Sequence, residues 1–144
     1  MSATADHAEE RTNPAARLGF QPGQVVQEIG YDDDVDQELR EAIQEIIGRE
    51  LVDEDYDDVA DAVVLWFRED DGDLTDALVD ATTLIDEGSP VWLVTPKTGR
   101  DGYVEPSEIN EAAQTAGLSQ TKSIAAGKDW SGSRLVTPKG VKKR

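Results

Sequence analysis

Three groups of side chains in this 144-residue chain have types and spacings suited to chemistry. The first is carboxylate. Asp32, Asp33, Asp34 and Asp36, and Asp70, Asp71 and Asp73 around Gly72, are hard oxygen donors of the kind magnesium and calcium take. Neither run fits the calcium-loop spacing Asp-x-[Asp/Asn]-x-[Asp/Asn]-Gly. Helix caps and solvated loops account for both, so no metal site is assigned. The second group is the loop Lys97-Thr98-Gly99-Arg100. Two cations and free backbone N–H groups between a buried strand and a helix can cradle an anion. The P-loop spacing Gly-x-x-x-x-Gly-Lys-[Ser/Thr] is absent, yet this loop is the best candidate in the chain for contact with an anionic ligand or acidic partner. The third is Trp130, which follows Lys128-Asp129 at a turn: exposed there it would be a contact anchor, whereas packing of the edge hairpin over a helix would cover it.

Other chemistry is excluded by composition. There is no cysteine, hence no disulfide, thiolate zinc site, iron–sulfur cluster or cysteine nucleophile. That fits a cytoplasmic location. The one histidine, His7, sits in a polar N-terminal stretch, which argues against a histidine-based triad. No spacing singles out a carboxylate pair for acid–base work. No cofactor is implied by any motif.

The elements that must position these groups are legible from periodicity. Residues 1–17 read as a flexible tail, 18–138 as one α/β domain, and 139–144 as a basic tail. Pro22-Gly23 fits a type II turn, and Gln24 to Ile29 a short strand. Leu39, Ala42, Ile43, Ile46 and Ile47 recur at steps of three and four, the stripe of an amphipathic helix, with Asp33 or Asp34 as its cap. Ala62 to Phe67 and Val91 to Thr95 are continuous apolar runs, as expected of central strands covered on both faces. Between them Asp73 caps a second helix, and Gly88 closes it. Glu105-Pro106 opens a third helix, ended by Gly117. Leu118 to Ile124 and Trp130 to Val136 form a hairpin around Gly127-Lys128-Asp129. Alternation of strand and helix predicts a three-layer α/β sandwich: a mostly parallel sheet of three βα units, with right-handed crossovers and helices on both faces, closed by a C-terminal antiparallel hairpin. Trp66 and Trp92 fall inside strands and read as core.

Ligands in such sheets bind outside the carboxyl ends of the parallel strands. That edge gathers Asp32, Asp33 and Asp34, then Arg68, then Lys97 to Arg100. With Trp130, these are the candidate contact residues.

Charge bounds the partners. The net charge is −17. Residues 1–96 hold 26 acids and 5 bases, and residues 97–144 hold 5 acids and 9 bases, giving −21 and +4. Such a field repels nucleic-acid phosphates and anionic membranes. No apolar run reaches the ~18 residues of a membrane span, and no signal peptide is seen.

Several segments resemble an actinobacterial family of unknown function, domain of unknown function 3052. They are Leu18-Gly19-Phe20, Gln24 to Asp34, Asp53 to Asp58, Leu93 to Lys97, Gly99 to Gly102 and Gly127 to Gly132. The resemblance covers about Leu18 to Lys139. It implies an actinobacterial cytoplasmic protein without an assigned activity, and it carries over no catalytic residue. The element order is also similar to part of a class I S-adenosylmethionine-dependent methyltransferase fold. Such enzymes need a glycine-rich turn after the first strand, and Gly30-Tyr31-Asp32-Asp33-Asp34 has a single glycine.

Two functions follow as expectations. The first is a non-catalytic protein-interaction or regulatory module that meets a basic face on a protein partner. The second is a binder of a nucleotide-like or anionic small molecule, or a degenerate methyltransferase-like protein, using the strand-end cleft.

Overall fold

The computed structural model describes residues 15–137; the expectations for the N-terminal tail, for His7 and for the basic C-terminal tail fall outside those residues. The elements follow the expected order. They are β1 (Val26–Ile29), α1 (Gln37–Ile47), β2 (Ala62–Trp66), α2 (Leu74–Thr82), β3 (Val91–Pro96), α3 (Pro106–Thr115), β4 (Ser119–Ala125) and β5 (Trp130–Val136). The sheet order is β1-β2-β3-β5-β4. The first three strands are parallel, β5 runs antiparallel to β3, and β4 runs antiparallel to β5 at the edge.

Alternation along the strands sorts the core into two layers. Ala62, Val64 and Trp66 of β2 and Trp92 and Val94 of β3 face α1, which contributes Leu39, Ala42, Ile43 and Ile47. Val63, Leu65, Val91 and Leu93 face the other way, against Leu74, Leu78 and Ala81 of α2 and Ile109, Ala112 and Ala113 of α3. This is why the two central strands are apolar throughout: each side chain, whichever way it points, meets a helix. A 3-10 turn at Ala16–Leu18 packs with the α1 layer. Ala15 and Leu18 are buried there, and Ala16 and Arg17 between them are exposed.

With β1, β2 and β3 stepping one way across the sheet and their helices on opposite faces, a direct β1-α1-β2 crossover would have the wrong hand. The chain avoids it by a detour. After α1 it reaches the outer edge of β1, where Val52 makes a one-residue parallel bridge to Gln27. Val52 donates its N–H to the Val26 carbonyl (3.0 Å) and accepts from Glu28 N–H (2.8 Å). The chain then returns beneath β1 on the α2 face. There the buried Gln27 amide donates to the carbonyls of Asp53 (3.0 Å) and Tyr56 (3.2 Å). The step out over one face, the step back under the other, and β2-α2-β3 therefore share one hand, as the handedness rule for parallel crossovers requires.

Boundaries shift by local chemistry. The α1 cap is Asp36, not Asp33 or Asp34: its Oδ1 accepts from Leu39 N–H at 2.9 Å. The three aspartates before it are loop. Helix α2 starts at its Asp73 cap but ends at Thr82, well before Gly88, because the hydroxyls of Thr82 and Thr83 turn back onto the carbonyls of Val79 and Asp80. Ile85 leaves the helix to bridge Ala60.

Candidate functional site

At the carboxyl end of β1 the chain turns through Gly30 at φ 82°, a left-handed conformation. A Cβ at this position would collide with the Trp66 carbonyl oxygen. The Gly30 N–H is held by the Glu54 carboxylate at 2.9 Å, just after the Val52 bridge. Only glycine allows β1 and β2 to approach this closely at the point where their chains leave the sheet.

Arg68 sits at the end of β2 and organises the edge. Its guanidinium grips Asp34 with two nitrogens, Nε to Oδ2 at 3.0 Å and Nη2 to Oδ1 at 2.5 Å. Nη1 donates to the Gly30 carbonyl (2.8 Å), the Trp66 carbonyl (3.3 Å) and Asp71 Oδ2 (3.2 Å). The cation also lies over the Trp130 ring, 5.4 Å from its centre. Burial pulls the Arg68 guanidinium toward the neutral form, but the Asp34 and Asp71 carboxylates outweigh it and hold its pKa above the ordinary value.

Beneath Arg68 lies a second polar group. Glu28, on the inward parity of β1, is buried. It accepts from Arg40 Nε (2.7 Å), Arg40 Nη2 (2.9 Å) and the Trp66 indole N–H (2.8 Å). The hydrogen bond to Glu28 raises the Arg40 pKa. Arg40 also stacks on Tyr31 at 4.7 Å. Trp66 meets Trp130 edge to face, 4.9 Å between ring centres. The result is a continuous chain of contacts, Arg40–Glu28–Trp66–Trp130–Arg68–Asp34, running from the α1-side core to the strand ends.

The structure brings together three of the candidate residues, Asp34, Arg68 and Trp130. Trp130 is buried rather than half exposed, because Arg68 and Trp66 enclose it. Asp32 and Asp33 are exposed in the loop before α1. The Asp32 carboxyl is held below the usual range, chiefly by the backbone N–H of Asp33. Thr98, Gly99 and Arg100 are exposed and Lys97 is half buried. Arg100 pairs with Asp129 at 3.5 Å, and Lys97 N–H donates to the Asp129 carbonyl. This loop therefore pins the β4–β5 hairpin, and only its far end, Gly102, touches Arg68. Among the described residues no three histidine or acidic side chains gather closely enough to hold a metal ion. No described helix is long and apolar enough to cross a membrane.

Sequence reasoning missed Glu28 and Arg40. The signal was present: Glu28 shares its strand face with Val26, so an acid on the inward parity calls for a buried cation. A further feature lies on the α2–α3 side. An open groove of about 390 Å³ runs between the start of α2 and the length of α3, edged by Asp73, Glu108, Glu111 and Thr115.

Comparison with known proteins adds three findings. A family model described as "Protein of unknown function (DUF3052)" matches residues 15–139. The chain belongs to that family. It is 53% identical over 135 residues to uncharacterized proteins of Mycobacterium tuberculosis (Rv2239c) and Mycobacterium bovis (Mb2263c), covering 94% of this chain and 83% of each relative. Among solved structures it is similar to methyltransferases. The pyocyanin biosynthetic protein PhzM superposes with a TM-score of 0.64 at 11% identity, over 91% of this chain and 55% of PhzM. Magnesium protoporphyrin IX methyltransferase from Synechocystis, solved with bound SAM, gives 0.55 at 12% identity over 90% and 80%. A SAM-dependent methyltransferase from Aquifex aeolicus gives 0.54 at 14% identity over 90% and 92%. At these identities the likeness is one of fold. The chain spans about half the length of PhzM.

Proposed function

We propose that this member of the DUF3052 family is a non-catalytic, cytoplasmic interaction module on a methyltransferase-like fold, and that its acidic surface meets a basic face on a protein partner. The observation that carries the reading is Arg68. At the strand ends, where open α/β sheets take their ligands, its guanidinium is already committed to Asp34, Asp71 and two backbone carbonyls, and Trp66 and Trp130 pack the space beneath. A ligand entering there would have to break those bonds. The −21 charge of residues 1–96 supports electrostatic capture of a basic partner.

A second reading is kept because the fold neighbours favour it: a small-molecule binder that opens this edge for a nucleotide-like or S-adenosyl compound. Thermal shift against S-adenosylmethionine, S-adenosylhomocysteine and nucleotides separates the two. A ligand at ~100 times its Kd stabilises by about 2.7 kcal/mol, which for a chain of this length raises Tm by roughly 5–10 °C. The interaction reading expects no shift from these compounds. It also expects one stoichiometric partner in a pull-down at low salt, lost as salt rises and lost on charge reversal across Asp53 to Asp58. A ligand-induced shift of the stated size with no such partner would replace the first reading with the second.

A further inference from the structure

The opposite edge of the sheet presents a different kind of surface. Among the described residues, strand β4 ends the sheet and pairs only with β5. Six of its seven residues are exposed, and the seventh, Ile124, packs on the α1-side core. Its outer row of backbone N–H and C=O groups faces solvent. Natural proteins guard such edges with a lysine or a bulge. β4 has both, Lys122 and an irregular register between Gln120 and Lys122.

Guarding explains Lys122 but not its neighbour. Lys122 stands directly across from Arg134 of β5. Like charges at such a pair cost stability rather than adding to it. The hydrogen bonds these cations make go to neutral oxygens: Lys122 Nζ to the Arg17 carbonyl at 3.3 Å, and Arg134 Nη1 to Thr121 Oγ1 at 3.0 Å. In contrast, Arg40, Arg68 and Arg100 each pair with a carboxylate. Among the described residues this cross-strand pair of cations has no carboxylate partner.

We infer that β4 is a docking edge for an extended, acidic segment of a partner protein, which adds to the sheet as a sixth strand and places a carboxylate beside Lys122 and Arg134. The backbone ladder supplies attachment, and the paired cations select charge. A second copy of β4 is a poor occupant, because antiparallel pairing centred on Lys122 sets lysine against lysine. This surface is separate from the acidic loops proposed above to meet a basic partner, and either can fail without the other.

The test uses the full chain at 0.15 M salt, where a screening length of about 8 Å damps the field of the acidic body. The probe is a fluorescein-labelled eight-residue peptide alternating Thr and Glu, read by fluorescence anisotropy. The same peptide with Lys for Glu, and one with two prolines, serve as controls. The acidic peptide is expected to bind, and the lysine and proline peptides to bind roughly tenfold more weakly or not at all. Lys122→Glu should reverse the order, weakening the Glu peptide and admitting the Lys peptide. That gain shows that the variant is folded. Amide exchange of residues 119–125 should slow on binding, and Asp55→Lys/Asp57→Lys should leave peptide affinity unchanged. Absence of binding at millimolar peptide, affinity indifferent to Lys122→Glu, protection that maps elsewhere, or pairing of β4 with a second copy would each overturn the inference.

Discussion

Arg40→Met isolates the buried charge pair. Glu28 is 5% exposed and Arg40 21%, and the two are joined by two hydrogen bonds of 2.7 and 2.9 Å. Removing one partner of a buried pair costs about 3–5 kcal/mol, because the other charge is left uncompensated. Here the cost is lower, since Arg40 is partly solvated and Glu28 keeps the Trp66 indole N–H. We expect about 2–3 kcal/mol, read as a lower urea midpoint at unchanged m, and as a fall in Tm of roughly 5–12 °C. The double variant Glu28→Met/Arg40→Met removes both charges and fills the same volume. Only the Trp66 indole is then unsatisfied, a loss of about 1 kcal/mol. The double variant should therefore be more stable than Arg40→Met alone. Urea titration followed by tryptophan fluorescence decides. A cost below about 0.5 kcal/mol for Arg40→Met, or a double variant whose loss equals the sum of its two singles, would refute the coupling.

Three further expectations follow from the same edge. Gly30→Ala introduces a Cβ against the Trp66 carbonyl in a left-handed conformation, and should cost about 2–4 kcal/mol in urea unfolding; a variant within error of wild type would show that β1 and β2 can separate freely there. Asp36→Ala removes the α1 cap and the acceptor for Lys128 N–H at 3.2 Å, and should lower stability by about 1–2 kcal/mol, whereas Asp33→Ala should be close to neutral. The Asp32 carboxyl is held below its ordinary pKa, so its contribution is fully present above the unfolded value and is lost as pH falls through the folded one. Asp32→Asn should remove that part of the acid limb, measured as the difference in unfolding midpoint between neutral pH and the acid range, and leave the difference between pH 6 and pH 8 unchanged.

Much of the scaffold was legible because its signals are local. The runs Ala62 to Phe67 and Val91 to Thr95 had to be two-sided strands, Asp73 and Pro106 had to begin helices, and the hairpin around Gly127 paired as its turn residues imply. The α1 cap was misplaced because four aspartates in five positions are chemically equivalent as caps. The choice fell to Asp36, whose second oxygen reaches Lys128 N–H 92 residues later. Trp130 could be exposed or packed for a similar reason: its turn looks solvent-facing, but Arg68 and Trp66 come from another strand to cover it. Arg68 and Asp34 were both candidates, yet nothing in their 34-residue separation shows that they bind each other rather than a ligand.

The detour through Val52 ties the topology to the candidate site. A one-residue bridge has no periodicity, so no sequence pattern reveals it. Its consequence is nonetheless physical. By carrying the chain around the outer edge of β1, it brings Glu54 to the Gly30 N–H and passes the Asp53 and Tyr56 carbonyls to the buried Gln27 amide beneath β1. On its other side β1 pairs directly with β2, so the Trp66 carbonyl closes on Gly30 and Arg68 can reach across to Asp34. The detour on one side of β1 and the close approach on the other therefore meet at Gly30, whose N–H is held by Glu54 and whose Cα lies against the Trp66 carbonyl.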